Sequence, residues 1–147
     1  MTSRDDRYDL ARFVDAQQGV YETAIAEIRA GRKRSHWMWY VFPQVLGLGS
    51  SAMAQHYGIR DEEEARAYLA HPVLGQRLIE CAEAICSVTG RSAREILGTP
   101  DDLKLRSCAT LFAQVSQPGS VFDRVLRRYY DGQPDQATLA LLRPQET

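Results

Sequence analysis

The chain has 147 residues, 44% of them apolar and 25% charged, which is the composition of a globular domain able to bury about two-thirds of its unfolded surface. Lys+Arg 18 against Asp+Glu 19 leaves a net charge of −1, spread evenly over the two halves, so a basic nucleic-acid binder is excluded along with wholesale disorder. The longest apolar run, Trp37 to Pro43, is far short of the roughly 20 residues that span a bilayer, so no membrane association is expected.

Taken in chain order, the elements read as helices. The opening MTSRDDRYDLARF is mixed in charge and has no apolar centre, unlike a signal peptide. Leu10, Phe13 and Val14 mark a short helix, and Tyr21, Ile25 and Ile28 a second that ends at Gly31. Gly47-Leu48-Gly49-Ser50-Ser51 reads as a turn before a short helix holding Met53 and Tyr57, with a serine as N-cap. Asp61 with Glu64, and Ser92 with Glu95, have the spacing of reciprocal N-terminal caps.

Leu74, Leu78, Cys81, Ile85 and Val88 form one apolar stripe, with Pro72 suited to its first turn and Gly90 to its end. Leu105, Cys108, Ala109, Phe112 and Val115 form another, opened by Thr99-Pro100-Asp101-Asp102. Val121, Phe122, Val125, Leu126 and Tyr129 form a third, ending near Gly132, and Asp135 caps a last helix carrying Leu139 and Leu142. No sustained alternation of period two appears. The expected fold is all-α, a single compact domain over residues 1–147 of about seven or eight short helices, with its core between about 10 and 142.

Three cysteines, Cys81, Cys86 and Cys108, are an odd number with no CxxC pair. Free thiols and a cytoplasmic location are expected, with Cys81 and Cys108 buried on their stripes. His36, His56 and His71 lack metal-ligand spacing, no cysteine stands at zinc-finger distance, and neither a metal nor a cofactor is expected.

One segment departs from the helical pattern. Trp37-Met38-Trp39-Tyr40-Val41-Phe42 contains both tryptophans of the chain and is apolar on every face, so it must be enclosed. It packs as a core plug, or one or two of its rings face a pocket. Arg29, Arg32, Lys33 and Arg34 place four cations in six residues just before it. They suit the C-terminus of the preceding helix, and equally an anion site beside aromatic surfaces. A glycine loop opening a helix follows, where free N–H groups can meet an anion.

Lys33, Arg34, His36, Trp39, Gln44 and Ser51 are therefore expected to converge on one cleft, with Asp102 or Lys104 nearby. Trp37 or Trp39 would stack on a ring, Gly49 would allow close backbone approach, and Lys33 and Arg34 would neutralise phosphate. His36, Asp102 or Lys104 would supply acid–base chemistry. Asp102 also has the spacing to pair with Arg106. On this reading Trp39→Ala costs several kcal/mol and Lys33→Ala spares stability.

These residues carry a resemblance. Gly31-x-Lys33-x-x-His36-Trp37-Met38-Trp39-Tyr40-x-Phe42-Pro43-Gln44, then Gly47-Leu48-Gly49-x-Ser51, resembles the signature of the bacterial domain of unknown function 1810 family. Tyr68-Leu69-x-His71-Pro72-x-Leu74-Gly75-x-Arg77-Leu78 and Asp102-x-Lys104-x-x-Ser107-x-x-Thr110-Leu111-Phe112 extend the likeness from about Leu10 to Leu142. Tyr40 stands where phenylalanine is more usual. The resemblance implies an all-helical single domain and brings no settled activity. Members sometimes carry the label calpastatin, an inhibitor that is disordered and repetitive, which this chain is not. By analogy the family is similar to the NADAR glycosidases, which act on ADP-ribose-like N-glycosides.

Two classes of function follow. The first is a small protein that binds or hydrolyses a nucleotide-like or ADP-ribose-like N-glycoside, its partner an anionic small molecule. The second is a non-catalytic protein-interaction module. A concave charged cleft around residues 33–51 favours the first, and a flat apolar patch the second.

Overall fold

The computed structural model describes residues 6–143. Among them are ten helices: α1 (Ala11–Gln17), α2 (Tyr21–Arg29), α3 (Met38–Val41), α4 (Ala52–His56), α5 (Glu62–Ala70), α6 (Leu74–Cys86), α7 (Ala93–Leu97), α8 (Asp101–Ala113), α9 (Val121–Tyr130) and α10 (Gln136–Leu142). Seven have at least seven residues, and α3, α4 and α7 are single turns of four or five. The fold is an all-α single domain. Its only extended pairing among the described residues is a parallel bridge between Val45 and Ile59. No described helix is long and apolar enough to cross a membrane.

The apolar stripes become the core. Leu74, Leu78, Cys81 and Ile85 of α6 are buried, as are Leu105, Cys108 and Phe112 of α8 and Val121, Phe122, Val125 and Leu126 of α9. Helix α9 packs against α8 and α6, α2 and α5 flank α6, and α7 and α10 lie on α8. A line of aromatic rings ties these layers together. Phe13 meets Tyr68 edge-on at 5.1 Å, Tyr68 meets Phe112 at 5.4 Å, and Phe112 meets Phe122 at 5.6 Å. Cys81, Cys86 and Cys108 are free thiols, the first and last buried.

The buried polar side chains of Gln17 and Glu64 are matched. Gln17 donates to the Tyr40 carbonyl and the Tyr68 hydroxyl and accepts from Arg77. The fully buried Glu64 accepts from Arg12 at 2.8 Å and from the Arg60 backbone at 2.9 Å.

Local details differ from expectation. The Ser92–Glu95 box closes in both directions, whereas at Asp61 only the aspartate side chain caps, accepting from the Glu64 N–H at 2.9 Å. The Glu64 carboxylate is drawn inward to Arg12 instead, because an enclosed charge must be paired. Helix α6 starts after Pro72 and stops at Cys86. His71 Nδ1 accepts the N–H groups of Val73 and Leu74, and Ser87 Oγ donates to the Glu83 carbonyl, drawing off the last turn. Gly75 is dictated by close approach: a Cβ there would lie 2.0 Å from the Leu69 carbonyl oxygen.

Candidate functional site

The segment after α2 is pinned by one carboxylate. Glu27 accepts from the Arg34 N–H (2.8 Å), the Ser35 N–H (3.0 Å), the Ser35 hydroxyl (2.6 Å) and the Trp37 indole N–H (2.9 Å). Burial alone would raise this carboxyl, but the four donors outweigh it and bring it down to about 2. Trp37 is thereby locked into the core with 0% exposure, so it is no stacking surface for a ligand. The same anchorage leaves the Arg34 and His36 side chains exposed. Arg34 lines a separate open groove beside α2 with Arg32 and Arg91, and His36 lies outside the cleft described next.

Beyond Trp37 the short α3 presents Trp39, half-buried, to a cleft of about 480 Å³. The Val45–Ile59 bridge sets its floor. Leu46 N–H donates to the Ile59 carbonyl at 2.7 Å and Ile59 N–H to the Gln44 carbonyl at 2.9 Å, which holds Gln44 beside Gly58. Gly49, Ser50 and Ser51 form one rim, where Ser51 Oγ caps α4 by accepting from the Ala54 N–H at 3.1 Å. Gly49 has no room for a side chain, since a Cβ would meet that of Ala54 at 2.9 Å. Helix α8 supplies Leu103, Lys104 and Ser107 from one face, and Asp135 and Ala137 come from the start of α10.

The two lysines of the chain, out of eighteen basic residues, meet behind this wall. Asp101 Oδ2 stands 3.0 Å from Lys33 Nζ and Oδ1 3.4 Å from Lys104 Nζ. The two tryptophans complete the arrangement: Lys33 Nζ is 5.2 Å from the Trp37 ring centre and Lys104 Nζ 5.2 Å from that of Trp39. One carboxylate shared by two ammonium groups leaves a net charge of +1, and Lys104 presents it to the cleft.

Of the residues expected at the site, Trp39, Gln44, Gly49, Ser51 and Lys104 line this single cleft. Lys33 reaches it through Asp101, with its side chain only 9% exposed. Trp37, Arg34, His36 and Asp102 do not line it. Neighbouring positions on a helix point about 100° apart, so with Asp101 turned to the lysines Asp102 faces another way. Its backbone carbonyl accepts from the Tyr130 hydroxyl, and its Oδ1 is buried without a hydrogen-bond partner among the described residues. The expected Asp102–Arg106 pair does not form, because Arg106 Nε donates to the Gln133 carbonyl at 2.9 Å.

Asp101 and Asp135 were not expected at the site. A carboxylate in the first turn of a helix is explained by the helix alone, and so is an N-cap, which hides a second role for either. Asp135 Oδ2 accepts from Ser107 Oγ at 2.9 Å, Thr138 N–H at 3.2 Å and Thr138 Oγ1 at 2.5 Å.

No curated protein matches the chain. Among solved structures it is similar to the conserved hypothetical protein Rv1873 from Mycobacterium tuberculosis, with 55% identity, 93% of this chain and 98% of that chain covered, and a TM-score of 0.91. The family model described as protein of unknown function (DUF1810) matches residues 7–142. That span takes in the Glu27 anchor, the lysine pair and every wall of the cleft, and the chain belongs to the DUF1810 family.

Proposed function

We propose that the cleft binds a small anionic ligand carrying a flat ring, of nucleotide-like chemistry. The observation that carries this is the pairing of Lys104 with Trp39 on one wall of the cleft, a cation held beside an indole by Asp101. The Lys33–Asp101–Lys104 cluster keeps one positive charge that Asp101 does not balance, which draws an anion to Lys104, and the enclosed Trp37 keeps the wall rigid. Gln44, Ser50 and Ser51 add neutral polar groups to the lining. Concavity favours a ligand over a flat protein partner. The reading is one of binding: of His36, Asp102 and Lys104, only Lys104 lines the cleft, so no acid–base pair among them meets a substrate there.

A thermal-shift screen against AMP, ADP-ribose, NAD and ribose 5-phosphate tests this. A ligand at a hundred times its dissociation constant adds about 2.7 kcal/mol, which in a chain of this size raises Tm by about 5–10 °C. The shift is expected with a nucleotide and is expected to vanish in Lys104→Ala. No shift with any member of the panel, or an equal shift in Lys104→Ala, overturns the proposal.

A further inference from the structure

Resting on that reading of the cleft, we infer that Asp135 holds a hydroxyl pair of the ligand, so that the ligand class is a ring, a diol-bearing sugar and an anionic group in one molecule. Asp135 lines the cleft from the start of α10. Its two oxygens are unequal. Oδ2 is saturated by three donors, the Ser107 hydroxyl and the N–H and hydroxyl of Thr138. Oδ1 makes no hydrogen bond among the described residues, and it is not one of the atoms sealed from solvent. The backbone of Asp135 is fixed as well, its N–H donating to Thr110 Oγ1 at 2.8 Å.

No cation among the described residues pairs with this carboxylate. Lys104 shares the cleft, yet its ammonium pairs with Asp101 and not with Asp135. The cleft therefore offers both a cation, Lys104, and a pre-oriented, acceptor-only oxygen, Oδ1 of Asp135, with no ion pair between them. An anionic group placed on Asp135 is repelled. A donor placed there gains a charge-assisted bond with no cost of orienting the acceptor. Adjacent hydroxyls on a sugar ring supply such donors without altering the charge of the ligand, and a sugar is the piece that joins a flat base to a phosphate.

The test compares AMP with 2′,3′-dideoxy-AMP by isothermal titration calorimetry on the full chain and on Asp135→Asn. Asparagine is as good an N-cap as aspartate, and its amide oxygen takes over the role of Oδ2, while its NH2 replaces the acceptor at Oδ1 with a donor. The wild type is expected to bind AMP about 10- to 100-fold more tightly than the dideoxy compound. Asp135→Asn is expected to bind both at the weaker level with unchanged Tm. Equal wild-type affinity for the two nucleotides, still abolished by Lys104→Ala, overturns the role of Asp135 and leaves the cleft reading standing. This comparison involves no change at Asp135. Equal loss of both nucleotides in Asp135→Asn also overturns it, because that loss follows the shape of the cleft and not the diol. Binding of neither nucleotide to the wild type overturns the cleft reading and this inference together.

Discussion

Lys33 and Lys104 lie 71 positions apart in the chain and share the two oxygens of one side chain, Asp101, at 3.0 and 3.4 Å. Lys104 is its neighbour by helical spacing, three residues along α8, whereas Lys33 arrives from the loop after α2. That loop is tied to α7 by a 2.7 Å bond from the Lys33 N–H to the Ile96 carbonyl. Asp101→Asn leaves two poorly exposed ammonium groups facing each other without a counter-charge. A loss of about 2–4 kcal/mol is expected by urea denaturation at pH 7. A loss below about 0.5 kcal/mol shows that the cluster is solvated and not structural.

The two tryptophans separate stability from binding. Trp37 is enclosed and bonded to Glu27, so Trp37→Ala is expected to cost about 3–5 kcal/mol. Trp39 is half-buried, and Trp39→Ala is expected to cost clearly less while abolishing the thermal shift given by a nucleotide. Equal destabilisation by the two substitutions contradicts this division.

The thiols provide a check on the packing of α6 and α8. Burial pushes the Cys81 thiol up to about 12 and the Cys108 thiol well above its ordinary value. Neither is expected to react with a thiol reagent at pH 8 in the native protein, and both are expected to react in guanidinium. Rapid native labelling at either position contradicts the burial of those stripes.

Most of the fold is legible in the sequence because the apolar stripes of α6, α8 and α9 repeat at helical spacing, while Ser51, Asp61, Ser92 and Asp135 cap α4, α5, α7 and α10 with side chains of known reach. The site is legible only in part. The run from Trp37 to Phe42 announces enclosure, but periodicity cannot tell which indole faces outward. That choice is made by Glu27, ten residues upstream, through a bond to Trp37 that no local pattern encodes. Lys33 reads as a surface charge at a helix end, yet its side chain is only 9% exposed beside Asp101, so Lys33→Ala is expected to cost stability where a surface position would spare it. Asp101 and Asp102 are equivalent in sequence, and only the rotation of α8 decides which one meets the lysines.

Gly75 tests the contact that the sequence marks with a glycine at the second position of α6. A methyl group there would stand 2.0 Å from the Leu69 carbonyl oxygen and 2.8 Å from its carbon, both backbone atoms of α5 that no side-chain rotation can move. Gly75→Ala is expected to cost about 3 kcal/mol, the upper end for overpacking, despite the better helix propensity of alanine. A neutral or stabilising outcome by urea denaturation shows that α5 and α6 slide apart freely.

The Glu27 anchor gives the stability of the protein a signed dependence on acid. Its carboxyl lies at about 2 in the folded chain against an ordinary value of 4.5, so the folded state takes up the proton less readily than the unfolded one. For a depressed carboxyl the stabilisation is fully present above the unfolded value and is lost as pH falls from about 4.5 toward 2. Glu27→Gln removes the charge and turns one acceptor into a donor that faces the Ser35 hydroxyl or the backbone N–H groups of Arg34 and Ser35. The variant is expected to be less stable than the wild type at pH 7, with a difference that shrinks steadily between pH 4.5 and pH 2. Urea denaturation of both proteins across that range measures it. A difference that stays constant down to pH 2 means the carboxylate charge adds nothing beyond the shape of the side chain. A difference that widens as the pH falls reverses the sign, and with it the claim that the four donors outweigh burial at Glu27.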